Sequence, residues 1–280
     1  MSILIAPDEL AALVASGAAV RILDVRWRLD DPDGGPPAYA AGHVPGAVFV
    51  DLHHELAEQG LPATAGRHPL PNVEALQRSA RAWGIDDGDT VVVYDDSKNL
   101  ASARAWWLLR YAGVGDVRVL DGALRGWVNA GLPIESGSVT ARAGDVTLEY
   151  GALPMIDIDG AAAFPGDGSL LDARAGERFR GETEPIDPRA GHIPGAYSAP
   201  TTENVDADGR FLPAEALRER YAALGIDLNG PVAAYCGSGV TAAHTVLALA
   251  IAGVPAALYP GSWSQWSNHA DRPVAIGAMP

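Results

Sequence analysis

The chain has 280 residues, 48% of them hydrophobic, and carries 20 basic against 35 acidic residues for a formal net charge of −15. That length predicts two domains with sizeable cores, and the acidic balance argues against a nucleic acid or an anionic membrane surface as a partner. No apolar run is long and clean enough to span a bilayer, residues 1–10 lack a basic region before their short apolar run, and the single cysteine, Cys236, excludes an intramolecular disulfide. A cytoplasmic protein is expected.

In chain order, the first half reads as a strand over residues 20–25, a Gly/Pro-rich loop over 31–37 and a helix over 72–83. A β-branched strand follows over 90–94, then a helix over 101–111, a strand over 117–120 and a helix over 123–130. Residues 136–152 read as a linker between a first domain, 1–135, and a second, 153–280, with 145–150 as one extended segment inside it. The second half places strands over 170–173, 232–235 and 256–259 and helices over 213–224, 240–252 and 263–269, with a charged loop over 180–189. This α/β alternation predicts a small parallel sheet in each half with helices on both faces. Sheets of that kind carry their sites at the carboxyl ends of the strands.

The halves repeat one another. Leu23-Asp24-Val25-Arg26 matches Leu171-Asp172-Ala173-Arg174, and Gly42-His43-Val44-Pro45-Gly46-Ala47 matches Gly191-His192-Ile193-Pro194-Gly195-Ala196. Val92-Val93-Tyr94-Asp95 matches Ala233-Ala234-Tyr235-Cys236. A period near half the chain indicates a duplicated domain.

Cys236 ends an apolar strand and opens the loop Gly237-Ser238-Gly239 before an Ala/Leu-rich helix. Backbone N–H groups of a glycine-flanked loop at a helix N-terminus converge on one concavity and favour a thiolate there. Cys236 is therefore the candidate nucleophile. Ser238 either donates a hydrogen bond or proton near the substrate or caps the following helix. Asp95 holds the equivalent position in the first half, where a carboxylate cannot supply a thiolate; residues 95–99 there read as a solvated loop. The repeat position shared by His43 and His192 favours a structural role, an imidazole bond to backbone.

With its Cys236-Gly237-Ser238-Gly239-Val240-Thr241 loop, its two Gly-His-x-Pro-Gly-Ala segments and Glu177-Arg178-Phe179-Arg180-Gly181, the chain resembles the two-domain rhodanese-like sulfurtransferases over nearly its whole length. The resemblance implies two tandem rhodanese-like domains, the first non-catalytic and the second catalytic, and a ping-pong reaction. Cys236 takes a sulfane sulfur from a donor as a persulfide and passes it to a thiophilic acceptor such as thioredoxin, a small thiol or cyanide. No metal or organic cofactor is implied. Gly237, Gly239, Val240 and Thr241 would frame the bound donor, and Arg178 matches the family's substrate-anion arginine. In the mercaptopyruvate enzymes the first-half histidine, matched by His43, faces the active site, which makes His43 a substrate-binding candidate.

The loop resembles the 3-mercaptopyruvate version; the thiosulfate-preferring version carries basic residues directly after the cysteine. The charge pattern agrees, because no Lys or Arg occurs from residue 229 to 270, so a dianion would be held by backbone amides and Arg178 alone. One departure stands out: the mercaptopyruvate enzymes place a second carboxylate-binding arginine where this chain has Ile186-Asp187, leaving Arg180 or Arg189 as candidate substitutes. The alternatives are a thiosulfate:cyanide sulfurtransferase and a persulfide carrier with little small-molecule turnover. A cysteine phosphatase is disfavoured, since the arginine of its C-x5-R loop would fall on Ala242.

Overall fold

The computed structural model describes residues 2–279. The chain forms two compact units, the first built from residues up to 58, 71–152 and 205–211, the second from 59–70, 153–204 and 212 onward.

The first unit is organised on β1 (Leu4–Ile5), β2 (Val20–Asp24), β3 (Val48–Phe49), β4 (Thr90–Tyr94) and β5 (Asp116–Leu120). All pair in parallel, in the order β1-β5-β4-β2-β3. Central β4 is buried from Val91 through Tyr94, as expected of a parallel strand covered on both faces. Ile5, Leu10, Ile22, Val92, Tyr94, Leu120 and Trp127 form one apolar core.

The second unit repeats the plan with β6 (Ser169–Asp172), β7 (Ala196–Ser198), β8 (Val232–Tyr235) and β9 (Ala257–Leu258), parallel throughout in the order β7-β6-β8-β9. Its core gathers Leu170, Phe179, Ala233, Tyr235, Tyr259, Trp263 and Trp266. Each unit is thus the α/β, parallel-sheet domain flanked by helices that the sequence predicts.

One local expectation is corrected. The span read as a Gly/Pro-rich loop contains the start of a helix, Gly35–Ala41, with prolines in its first turn. There the missing N–H costs no hydrogen bond and the fixed φ suits the helix. Residues 145–150 form no strand; Val146 and Leu148 bury their side chains, and the Val146 and Glu149 amides donate to the Ile85 and Ala112 carbonyls of the first unit at 3.2 and 3.1 Å. Among the described residues no helix is long and apolar enough to cross a membrane.

Candidate active site

β8 ends at Tyr235, whose hydroxyl accepts from the Ile193 amide at 3.1 Å, and delivers Cys236 to its carboxyl end. The loop then runs to the helix Thr241–Ile251. It is anchored on both sides. The Cys236 amide donates to Ser262 Oγ at 3.1 Å, and the Cys236 and Gly237 carbonyls accept from the Trp263 and Ser264 amides at 2.9 and 2.8 Å. The Gly239 amide donates to Cys236 Sγ at 3.1 Å, so the loop curls around the sulfur. Gly239 has φ +78, and a Cβ there would run into the Pro260 carbonyl; only glycine fits. Cys236 is 1% exposed.

Ser238 points to a histidine rather than to the helix. Its Oγ lies 2.8 Å from His68 Nδ1, both residues are buried, and no side chain caps the helix Thr241–Ile251. A hydroxyl held by imidazole beside a thiol can move a proton to or from a bound substrate.

A row of alternating charge approaches the loop from the other side. Asp172 Oδ2 accepts from Arg174 Nη2 at 2.6 Å, and Arg174 Nη1 donates to Glu184 Oε2 at 3.2 Å. Arg178 Nη2 donates to Glu184 Oε1 at 2.6 Å and reaches Asp187 Oδ2 at 3.4 Å, while Asp187 Oδ1 accepts from Arg67. A Cβ added at Gly237 would stand 3.1 Å from Arg67 Nη2 and 3.6 Å from Arg178 Nη1. Two guanidinium groups therefore flank the residue that follows the cysteine. Burial pushes the Asp187 carboxyl above the usual carboxylate range, and the Arg67 charge pulls it back.

The second guanidinium beside Gly237 belongs to Arg67, not to Arg180 or Arg189. Arg180 pairs with exposed Glu182 at 2.7 Å. Arg189 is consumed by the carbonyls of Trp266, Ser267, His269 and Arg272. The expectation that Arg178 is the sole cation available to a donor is corrected for the same reason: Arg67 is distant in sequence and so invisible to a count around the loop.

The rhodanese-like domain family matches this chain twice, over residues 6–130 and 158–269. The chain belongs to the two-domain rhodanese-like sulfurtransferases. It is 49% identical over 278 residues, 98% of this chain and 97% of the relative, to a Mycobacterium tuberculosis protein named "Putative thiosulfate sulfurtransferase SseB". It is 36% identical over 262 residues, 91% of this chain and 92% of the relative, to the Escherichia coli protein named 3-mercaptopyruvate sulfurtransferase. The crystal structure of SseA from Escherichia coli, described with the rhodanese fold and mechanism of 3-mercaptopyruvate sulfotransferases, superposes with a TM-score of 0.83 at 32% identity. That match covers 94% of this chain and 99% of SseA.

Within this rhodanese-like frame the remaining candidates fall into place. Gly237, Gly239 and Val240 form the loop around Cys236, and Thr241 opens the helix. His43 lies in the first unit, fully buried, with Nδ1 3.0 Å from the Tyr39 carbonyl and its ring stacked on Tyr39 at 4.1 Å. His192 repeats this in the second unit, with Nδ1 2.8 Å from the Phe179 carbonyl and its ring stacked on Phe179 at 3.7 Å. The histidine that meets the cysteine loop of the second unit is His68, which sequence reasoning missed. No repeat marks it, and it stands 170 positions from Ser238. Among the described residues no group of three or more His, Cys, Asp or Glu side chains is placed to hold a metal ion.

Proposed function

We propose that this protein takes a sulfane sulfur from 3-mercaptopyruvate onto Cys236 and passes it to a thiol acceptor. The observation that carries the reading is the enclosure of Cys236 Sγ by its own loop, with the Ser238–His68 pair beside it and two arginines at Gly237.

The Cys236 thiolate attacks the donor sulfur; the S–S bond forms as the donor's C–S bond breaks. The pair of electrons leaving with carbon makes the enolate of pyruvate, and the proton from the donor thiol ends on that carbon. Ser238, bonded to His68, is the group placed to relay this proton. Arg178 and Arg67 hold the donor carboxylate by charge-assisted bonds. Gly237, Gly239, Val240 and Thr241 supply the surrounding backbone. In the second half-reaction an acceptor thiolate, or cyanide, attacks the outer sulfur and regenerates the Cys236 thiolate; thioredoxin and small thiols are the acceptors in view. His43, which shares the environment of His192, is given a framework role.

Thiosulfate as donor is favoured by one observation, the second cation at Arg67. Against it, the arginines are already matched by Glu184 and Asp187. Specificity constants for the two donors at matched ionic strength decide the point, with mercaptopyruvate expected to be higher; a higher constant for thiosulfate overturns the donor assignment. Turnover with small thiols separates an enzyme from a persulfide carrier, which would load sulfur and release it only to a protein.

A further inference from the structure

The charge row ends in an unusual way. Both carboxylate oxygens of Asp187 are directed at guanidinium groups, Oδ1 at Arg67 and Oδ2 at Arg178, and its side chain is 3% exposed. On its other side Arg67 faces Gly237, and its Nε is buried with no hydrogen-bond partner among the described residues. Arg67 therefore has Nη1 taken by a resident anion and Nη2 directed at Gly237, beside the nucleophile's loop. Across the row, Arg67, Arg174 and Arg178 balance Asp172, Glu184 and Asp187.

From this we propose that Asp187 is a specificity-determining residue: by holding the arginine pair beside Gly237 at charge balance, it selects a singly charged donor over a doubly charged one. The proposal rests on the sulfur-transfer reading for its meaning but not for its test. The reasoning is electrostatic. A carboxylate arriving beside Gly237 meets Arg67 Nη2 and Arg178 Nη1 and gains charge-assisted hydrogen bonds from them. A dianion gains the same bonds, yet its second charge meets no uncompensated cation and feels Asp187 and Glu184 at short range. Coulomb energy is linear in ligand charge, so any change in the local potential acts on a dianion about twice as strongly as on a monoanion. Removing the Asp187 charge should thus favour thiosulfate selectively.

Calorimetric titration in a Cys236→Ser background, where no sulfur is transferred, isolates binding from chemistry. Thiosulfate is the dianionic probe and pyruvate the monoanionic keto acid. Asp187→Asn, which keeps the shape, should tighten thiosulfate about tenfold and pyruvate only about threefold. The gain should shrink with added salt and vanish when Arg67→Gln is added. Asp187→Glu, which keeps the charge, should retain the parent ratio. If Asp187→Asn does not fold, Glu184→Gln removes the neighbouring negative charge and should move the ratio the same way. An unchanged or reduced thiosulfate affinity, or an equal gain for both ligands, overturns the proposal. Failure of sulfur to load onto unmodified Cys236 from either donor counts instead against the transfer reading and leaves this binding result to stand or fall alone.

Discussion

In the first unit β4 ends at Tyr94 and the next side chain is Asp95. Its Oδ1 accepts from the Ser97 and Asn99 amides at 2.7 and 2.8 Å, and its Oδ2 from the Ala101 and Ser102 amides at 2.8 and 2.9 Å. In the second unit β8 ends at Tyr235 and the next side chain is Cys236, whose Sγ accepts from the Gly239 amide at 3.1 Å. The supporting frame is the same. Tyr94 and Tyr235 hydroxyls accept from Val44 and Ile193 amides at 3.0 and 3.1 Å. The Asp95 and Cys236 carbonyls both accept at 2.9 Å, from the Leu124 and Trp263 amides. Asp24–Arg26 and Asp172–Arg174 are equivalent buried pairs. One scaffold thus turns a loop's amides toward whatever follows the central strand. In the first unit a carboxylate of the chain itself fills that cradle; in the second a sulfur occupies its floor. This also corrects the reading of residues 95–99 as solvated at its two ends: Asp95 and Asn99 are fully buried, because the loop closes over the carboxylate, while Lys98 is exposed.

The comparison can be broken most sharply at Asp95. Asp95→Ala leaves four amides without their acceptor inside a buried loop, and each buried orphan donor costs on the order of 1–3 kcal/mol. With some relaxation, a loss of about 3–5 kcal/mol is expected in denaturant unfolding of the first unit; a loss under about 1 kcal/mol would mean that the carboxylate is not what shapes this loop. Sulfur loading of Cys236 by the folded fraction should be unaffected.

A second test concerns what the catalytic loop has and the first lacks. His68→Ala removes the partner of Ser238 and should lower kcat with mercaptopyruvate about a hundredfold, the usual scale for a lost acid–base group. Thiosulfate, which has no proton to move, should lose less. Equal losses for both donors would assign His68 to loop support instead.

The smallest effect is expected at Arg178. Arg178→Ala should raise the apparent KM for mercaptopyruvate about tenfold to a hundredfold, corresponding to roughly 1.5–3 kcal/mol for a lost charge-assisted bond. An unchanged KM would leave Arg67 as the anion-holding residue.

The sequence made much of this legible, for identifiable reasons. Thr90–Tyr94 and Val232–Tyr235 are continuous apolar runs that can only be buried strands in this setting, and the cysteine loop declares itself by two glycines before an apolar helix. Short edge strands such as Leu4–Ile5 and Val48–Phe49 were not legible, since two residues carry no period. Nor were Arg67 and His68. Their placement depends on contacts far along the chain: the Arg67 amide donates to Ser264 Oγ at 3.0 Å, and Gly66, at φ +91, packs 2.9 Å (from an added Cβ) against the Gly261 carbonyl. Asp187 was visible only as a departure from the family pattern. Its meaning emerged from the side chains it joins, one of them 120 positions away.

The central claim is that sulfur travels on Cys236. Intact-mass measurement after incubation with 3-mercaptopyruvate tests it most directly. The account predicts a gain of one sulfur atom per chain, removed by cyanide or a reducing thiol and absent in a folded Cys236→Ser variant. Sulfur transfer that persists in that variant, or a wild-type chain that turns over donor without ever carrying the added mass, would contradict it.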